Sequence, residues 1–500
     1  MQRVVNEFLV RLSYGVRPGL VNDEGKYGVV EALARAYERA RNALEYRADH
    51  LVRRAAIERI LKRYLVFERD GKLLCRHLMT ELSWAKYVSA TELSRVDTAE
   101  VARILTKYVN VIDERKVPME WAMGVASAEV EELLNIDVDY WQFTNFTFQV
   151  IKQKVKIEAD NLDLLIFAAV ERIYAQSDDQ RASYHILRLL NKDWSSADLH
   201  TAYELWSEIR KHKRLPMIST YVRRQMAPLL LLRDMYFANP TGFKSLFLDR
   251  DSFEDEAKRV LNIQMGLMSK RVSTAATRSI VYVFLTKMLF GMGVEVPADI
   301  WLYGRVAKVP LIINLLAPAS LMWISTWRIK LPGFAQRKKL TERTWKIVSE
   351  FENLAKEEDY LRDLPGRRTS VWYGLFSGIY FLCFVAVFWL IFFGLGKIGF
   401  SLASRGVFVF FVCIVAFFAH RIGQTAKIYS WDEGRHRSSL WDVVWLPILT
   451  AGSKFSQGLG KLNFLDFAFD FILEAPFKLI LRFLDNWVQF LGSKKEEVAG

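Results

Sequence analysis

Residues 372–396 read WYGLFSGIYFLCFVAVFWLIFFGLG, a run of 25 positions without a charged side chain. Residues 400–419 form a second apolar run, in which Arg405 is the one charged residue. An α-helix rises about 1.5 Å per residue, so each run is long enough to cross a hydrocarbon core of roughly 30 Å. We therefore expect an integral membrane protein in which these two runs form a transmembrane hairpin.

Two shorter apolar runs precede this pair. Residues 279–296 contain Lys287 and Glu295, and residues 309–327 contain Asn314 between two prolines. Both runs are close to the lower limit of roughly 17–25 residues for a spanning helix. The pattern leaves two alternatives open: a second spanning hairpin, which would give about four spans, or a re-entrant or interfacial hairpin.

Basic residues predict how the chain is oriented in the membrane. Residues 1–270 carry 41 Lys and Arg against 38 Asp and Glu, whereas residues 271–500 carry 28 against 18. Eleven of the basic residues lie in residues 328–368, between the two hairpins. Cytoplasmic loops of membrane proteins carry such an excess, so we expect a multi-pass protein of the cytoplasmic (inner) membrane with both termini in the cytoplasm. Because the excess of Lys and Arg lies around the apolar segments, as in cytoplasmic loops, we predict no nucleic-acid partner.

The rest of the chain reads as helical. Apolar residues three and four positions apart predict amphipathic helices in the amino-terminal half. The predicted segments are residues 27–69, 73–88, 98–109, 196–212 and 214–237. Residues 140–150 (YWQFTNFTFQV) are aromatic and β-branched enough for a strand, but they lack pairing partners and are predicted as helix. Residues 463–489 predict an amphipathic helix with a narrow polar stripe, suited to the membrane interface or to packing against protein.

These segments predict an all-α fold with a soluble cytoplasmic helical domain followed by a helical membrane domain. The predicted organisation comprises a cytoplasmic domain (1–270), a first membrane hairpin (271–330), a basic cytoplasmic segment (331–370), a second hairpin (371–422) and an amphipathic tail (423–500). The three cysteines have no metal or disulfide spacing. We expect no cofactor and no metal.

Two short patterns have a functional and a structural interpretation. Gly394, Gly396 and Gly399 match the dinucleotide-binding spacing, but they close a predicted transmembrane hairpin and are interpreted as a tight turn. His200, Glu204, Glu208 and His212 recur every four residues and share a helix face. One face alone supplies only half a metal site, so an ordinary solvated face is the favoured interpretation.

Lys287, Glu295 and Asn314 are the candidate functional residues. Charged side chains at membrane depth are expensive, and they usually face a bundle interior or a water-filled cavity. Lys287 and Glu295 are eight positions apart, about 80° around a helix, so they predict one polar seam that Asn314 can join. A proton or ion path is the functional interpretation. A snorkelling lysine, or a pair that holds helices together, is the structural one and is favoured.

Several stretches resemble a group of uncharacterised polytopic membrane proteins predicted from bacterial genomes. They are residues 278–297, 310–322, 411–427 and 472–478, so the resemblance covers mainly residues 270–490. It implies a membrane protein with a cytoplasmic helical region and supplies no activity. No nucleotide, hydrolase or metalloprotease motif is present, so we expect a non-enzymatic anchor or interaction platform. Its predicted partners are the lipid bilayer and cytoplasmic proteins, with self-association left open; a transporter or channel component is the alternative.

Overall fold

The fold is all-α, as the sequence predicts. A computed structural model describes residues 3–12, 52–85, 87–88, 96–134, 138–190, 196–304, 308–357, 361–362, 371–431 and 440–461. Within these ranges the regular secondary-structure elements are helices, apart from two strands of two residues each. The chain divides into two compact units. Among the described residues, unit 1 comprises those between 3 and 226 and between 347 and 362, and unit 2 comprises those between 227 and 346 and between 371 and 461.

Unit 1 is built from short helices. They are α1 (Arg3–Arg11), α2 (Val52–Leu65), α3 (Gly71–Trp84), α4 (Thr98–Asp113), α5 (Met119–Leu134), α6 (Val138–Lys154), α7 (Leu162–Ile173), α8 (Asp179–Leu189), α9 (Ser196–Lys211) and the first part of α10 (Leu215–Ala238). Strand β1 (Val155–Lys156) pairs in parallel with β2 (Leu361–Arg362). Asp70, Asp97 and Asp178 begin α3, α4 and α8, because each carboxylate accepts a hydrogen bond from a first-turn N–H group.

The hydrophobic core of unit 1 lies mainly between the helices α2 to α5. Ile57, Leu78, Leu105 and Val125 are fully buried in it. Helices α3 and α4 approach closely at Gly71, where a Cβ atom would collide with the Thr106 side chain. The apolar spacing in the sequence therefore marks the faces that these helices bury.

The ambiguous segment at residues 140–150 is helical and lies within α6, so this prediction is confirmed. Its aromatic residues are explained by packing, because Phe143 and Phe146 are buried against the ring of Phe8 on α1. Residues 27–69 are predicted as one long helix or a helical pair; residues 52–65 of this segment form α2, and residues 27–51 lie outside the described residues. The predicted amphipathic helix at residues 463–489 also lies outside them.

Unit 2 contains the longest and most apolar helices. They are the end of α10, α11 (Arg250–Phe290), α12 (Val296–Tyr303), α13 (Lys308–Trp327), α14 (Phe334–Ser349, up to residue 346), α15 (Val371–Lys397), α16 (Leu402–Ala426) and α17 (Leu440–Lys461). A π-helical turn, Gly291–Glu295, joins α11 to α12.

Three of the described helices are long and apolar enough to cross a membrane: Pro310–Trp327, Gly374–Lys397 and Leu402–Ala426. The predicted run at residues 279–296 is not among these three. It is divided between the end of α11, the π-helical turn and the first residue of α12. The number of spans and their arrangement as two hairpins therefore stay predictions.

Helix α16 is central in unit 2 and α15 is peripheral. Of the apolar segment of α16, 44% of the residues are buried, against 6% for α15. Val415 and Ala419 of α16 pack with Val283 of α11 and Met322 of α13. On another side, α16 approaches α17 so closely that a Cβ atom on Gly452 would collide with the main chain of Cys413.

The turn between α15 and α16 depends on one of the three glycines in the G-x-G-x-x-G pattern. Gly399 has φ of 87°, a conformation that side chains with a Cβ atom rarely adopt. Gly394 and Gly396 are helical, because α15 continues to Lys397. The interpretation as a tight turn therefore applies to Gly399 alone.

Candidate functional site

The three candidate residues meet in the interior of unit 2. Lys287 lies in the last turn of α11, Glu295 ends the π-helical turn, and Asn314 lies in α13. At most 1% of each residue is exposed. The Lys287 Nζ atom lies 3.4 Å from Glu295 Oε2, and the Asn314 amide donates a hydrogen bond to Glu295 Oε1. The residues of the predicted polar seam are thus in direct contact with one another, whereas the functional role of the seam stays a prediction.

Ser404, in the first turn of α16, is a fourth member of this polar cluster. Its hydroxyl donates a hydrogen bond of 2.6 Å to Glu295 Oε1, and its main-chain oxygen lies 3.4 Å from Asn314 Nδ2. The sequence pattern draws attention to Arg405 here and not to Ser404. Arg405 is occupied elsewhere, because its Nε donates to the main-chain oxygen of Phe400 at 3.0 Å. The sequence signal that could have identified Ser404 is its position next to Arg405, the charged residue that interrupts an apolar run.

The π-helical turn determines where Glu295 is placed. A π-helical turn holds more residues than an α-helical turn and occurs mostly as a single turn, often at a functional site. Residues 291–295 read GMGVE, and the two glycines supply a flexible backbone for this geometry. Glu295 then directly precedes α12. The chain therefore changes helical geometry at the residue that binds the other members of the cluster.

The Lys287 ammonium group is held loosely. Its distance of 3.4 Å from the carboxylate exceeds the 2.7–3.2 Å of an ordinary N–H···O bond. The Nζ atom also lies 4.9 Å from the centroid of the Phe411 ring of α16, within the range of a cation–π interaction. Lys287 thus has one carboxylate and one aromatic face around it.

Two buried side-chain oxygen atoms of unit 2 lack hydrogen-bond donors among the described residues. One is Oδ1 of Asn314, and the other is Oδ1 of Asp299, whose residue is 5% exposed. Asp299 lies four residues after Glu295, one helical turn farther along α12. Buried polar atoms are nearly always paired, so each unpaired oxygen needs an explanation.

The histidine and glutamate face of α9 does not form a comparable cluster. His200 Nδ1 lies 2.8 Å from the main-chain oxygen of Lys116, and His200 Nε2 lies 3.5 Å from Glu204. The His200 and Glu204 side chains are 47% and 68% exposed. In the part of the chain that the structure describes, no group of three or more His, Cys, Asp or Glu residues is placed to hold a metal ion.

Unit 1 contains a buried group of catalytic residue types, but its geometry is not that of a nucleophile and its base. Ser177 Oγ donates to Glu171 Oε2 at 2.6 Å, and His185 Nδ1 lies 2.9 Å from Glu171 Oε1. Burial alone would raise the pKa of Glu171, but His185 and Ser177 lower this pKa below its ordinary value. The serine hydroxyl contacts the carboxylate and not the imidazole, so the group binds helices together without activating a nucleophile.

No protein-family model, curated protein or solved structure matches this chain.

Proposed function

We propose that the chain is an integral membrane protein that holds its helical unit 1 at the cytoplasmic face as a non-enzymatic interaction platform. The exposed apolar surface of α15 is the observation that carries this proposal. Phe381, Leu382, Trp389 and Leu390 are between 62% and 67% exposed, and they lie on a helix without interior charges. Soluble proteins rarely expose so large an apolar surface, and lipid would cover it at no cost.

The orientation follows from the basic residues and is part of the proposal. Lys and Arg are concentrated between residues 328 and 368, and the link between α15 and α16 is short. The positive-inside rule then assigns the amino-terminal region, this basic segment and the carboxyl end to the cytoplasm of a multi-pass protein in the cytoplasmic membrane. Two hairpins with about four spans agree with that orientation, and the re-entrant form of the first hairpin remains the alternative.

A groove on unit 1 supports the platform role. It lies between α3 and α4, has a volume of about 1140 Å³, and is lined by apolar side chains such as Met79 and Trp84. Lys72 and Arg76, one helical turn apart, line the α3 wall. Arg103 and Lys107 line the α4 wall, where Arg103 is paired with Glu100 and Lys107 with Glu129. This combination suits an amphipathic protein segment with acidic residues, since opposite charges fix the position of a partner and apolar contacts supply affinity.

A photocrosslinking amino acid introduced into the full chain in native membranes tests this role. At Thr80, an exposed residue of the groove, we expect crosslinks to acidic protein partners. At Trp389 on α15 we expect crosslinks to lipid. Asn110, exposed on α4 but outside the groove lining, is the control and should give fewer protein crosslinks. Protein crosslinks that are equal at Thr80 and Asn110 would argue against the groove, and no lipid crosslinks at Trp389 would argue against the membrane assignment.

Transport is the second candidate function, and the polar cluster of Lys287, Glu295, Asn314 and Ser404 favours it. Ionisable residues inside a membrane commonly mark ion pathways. This function predicts ion flux in proteoliposomes that Lys287→Ala or Glu295→Ala abolishes while the protein remains folded. The absence of flux from the intact protein would exclude this candidate and leave the platform role untouched.

A further inference from the structure

We propose that the carboxyl ends of α13 and α16 form a binding site for the headgroup of an anionic phospholipid. The basic side chains of this site are Arg328, Lys330 and Lys427, and the stacked rings of Trp323 and Trp327 precede them on α13. This inference rests on the membrane assignment in the proposed function. It goes beyond that assignment by naming the class of lipid and the residues that bind it.

Helices α13 and α16 run in the same direction, so their carboxyl ends lie at the same end of unit 2. Near the amino-terminal ends of both helices, the Asn314 amide lies 3.4 Å from the main-chain oxygen of Ser404. Just after α13, Ile329 lies against α16, where a Cβ atom on Gly423 would be 3.9 Å from Cγ1 of Ile329. Contacts therefore advance together along the two helices, and two of the candidate membrane spans end side by side.

Basic residues surround the contact between Ile329 and Gly423. Arg328 and Lys330 flank Ile329 in the chain, and Lys427 follows Gly423 by four residues, one helical turn. All three basic residues are exposed, and within the described ranges none of their side chains forms an ion pair or a hydrogen bond. Residues 308–341 and 397–431 contain no Asp or Glu. Three cationic groups thus lie at this end of the two helices without a carboxylate from either segment.

Two tryptophans indicate the depth of this end in the membrane. The rings of Trp323 and Trp327 stack with their centroids 6.2 Å apart, and the residues are 59% and 78% exposed. Tryptophan is enriched at the boundary between hydrocarbon and headgroups, because its ring is apolar and its N–H group is polar. Arg328 directly follows Trp327, so its guanidinium group lies at the depth of the lipid phosphates.

An anionic phospholipid matches both parts of this surface. Its phosphate oxygens accept charge-assisted hydrogen bonds from Arg and Lys, and its acyl chains cover the exposed faces of Trp323 and Trp327. Basic pockets between the cytoplasmic ends of spanning helices recognise lipid headgroups in this way. A soluble phosphate would match only the basic part. Cations at a helix carboxyl end also interact favourably with the helix dipole, but that interaction predicts no dependence on the headgroup.

Thermal unfolding of the full chain in neutral detergent micelles measures lipid binding. A ligand that binds only the folded state raises the unfolding midpoint. We expect phosphatidylglycerol to raise the midpoint more than phosphatidylcholine with the same acyl chains, and inorganic phosphate to leave it unchanged. Arg328→Gln and Lys427→Gln should each require about fivefold more phosphatidylglycerol for the same increase, since each removes one cationic group near the headgroup.

Lys397→Gln is the matched control, because it removes one exposed basic residue at the end of α15, next to the start of α16 and not to its end. Its response to phosphatidylglycerol should equal that of the wild type. Equal wild-type midpoints in the two lipids would overturn the proposal, and that comparison needs no variant to fold. An equal loss of response in Lys397→Gln and Arg328→Gln would overturn the site by showing a general effect of charge.

The lipid crosslinks at Trp389 distinguish failure of this site from failure of the membrane assignment. Those crosslinks do not depend on the headgroup, so crosslinks with equal midpoints in the two lipids would retain the membrane assignment and reject the site. An increase with inorganic phosphate as large as with phosphatidylglycerol would reject the lipid as the ligand.

Discussion

At the scale of single residues, the Glu295 carboxylate is the group that organises the polar cluster. It accepts hydrogen bonds from Asn314 and Ser404 and lies beside Lys287, which comes from a different helix than either. Burial removes water as a competing partner, so each of these contacts is stronger than at a surface. The same burial makes the loss of one partner costly for the group that remains.

Removal of either charge should therefore destabilise unit 2, and removal of both should restore part of the stability. We expect Lys287→Met and Glu295→Gln each to cost about 3–5 kcal/mol, because each leaves an uncompensated buried charge or donor. The double variant should lose less than the sum of the two single losses. Unfolding in mixed micelles measures all three free energies of unfolding.

A result in which the two single losses simply add would contradict this coupling. The side-chain amide that Glu295→Gln introduces would still offer an oxygen to Ser404 and Asn314, so the cycle isolates the ammonium–carboxylate pair. Asp255→Asn is the matched control, because this carboxylate of α11 is 79% exposed and surface ion pairs contribute little to stability.

A second buried carboxylate, Asp234 at the end of α10, should make the stability of unit 2 depend on pH. Burial raises the pKa of Asp234 above its ordinary value, despite the opposing effects of Arg233 and the Tyr429 hydroxyl that donates to it. The folded state therefore binds this proton more tightly than the unfolded chain. The contribution of Asp234 is fully present below the ordinary carboxyl pKa and is lost as the pH rises through the raised pKa.

Replacement of the Asp234 carboxyl by an amide tests the direction of this pH dependence. The stability difference between Asp234→Asn and wild type should shift in favour of the variant as the pH rises above the ordinary carboxyl range. The amide retains an oxygen that can accept from Tyr429 and carries no charge. Chemical unfolding across a pH series gives the difference at each pH. A difference that is constant, or that shifts in favour of wild type, would contradict the raised pKa.

At the scale of secondary-structure elements, the close approach of α16 and α17 is the contact most sensitive to a single methyl group. A Cβ atom at residue 452 would overlap the carbonyl group of Cys413, and main chain cannot move aside as a flexible side chain can. We expect Gly452→Ala to cost roughly 1–3 kcal/mol through overpacking. Thermal unfolding in detergent measures the loss.

Gly458, on the same helix, is the matched control. A Cβ atom there meets no atom within 4 Å, so Gly458→Ala should be neutral or should stabilise by up to about 1 kcal/mol through helix propensity. Equal effects of the two substitutions would show that helix propensity, and not packing against α16, determines the outcome.

The elements also show which parts of the fold a sequence can predict. Helix α6 was predictable despite its strand-like composition, because a strand at residues 140–150 would have lacked a partner. The π-helical turn was not predictable from the sequence. A π-helical turn and an α-helical turn differ in the spacing of their main-chain hydrogen bonds, and the residue pattern at 291–295 does not reveal this spacing. Lys287 and Glu295 were identified because they are charged residues within a predicted membrane segment. Ser404 was missed, because its importance comes from a contact between helices that are distant in sequence.

At the scale of the whole molecule, the proposed orientation assigns the two ends of α15 to opposite sides of the membrane. In a variant without the native cysteines Cys75, Cys383 and Cys413, Ile398→Cys introduces a thiol at an exposed position of the turn after α15. A membrane-impermeant maleimide should label this thiol in intact cells. Lys338→Cys, exposed on α14, should be labelled only after the membrane is opened.

Labelling of both positions from the same side would contradict the α15–α16 hairpin as a crossing. Labelling from the reverse sides would retain the hairpin and invert the orientation that the basic residues predict. Thermal unfolding of the cysteine-free background checks that substitution of buried Cys75 and Cys413 leaves the fold intact.

Helix α11 is long enough to connect the polar cluster mechanically with a distant part of unit 2. Its 41 residues extend about 60 Å, roughly twice the thickness of a hydrocarbon core. If Lys287 lies at membrane depth, more than half of this rod projects beyond the bilayer. No proline interrupts it, so a small rotation at Lys287 would be carried rigidly to Arg250. A change in the contacts of Lys287 would thereby be converted into displacement far from the polar cluster.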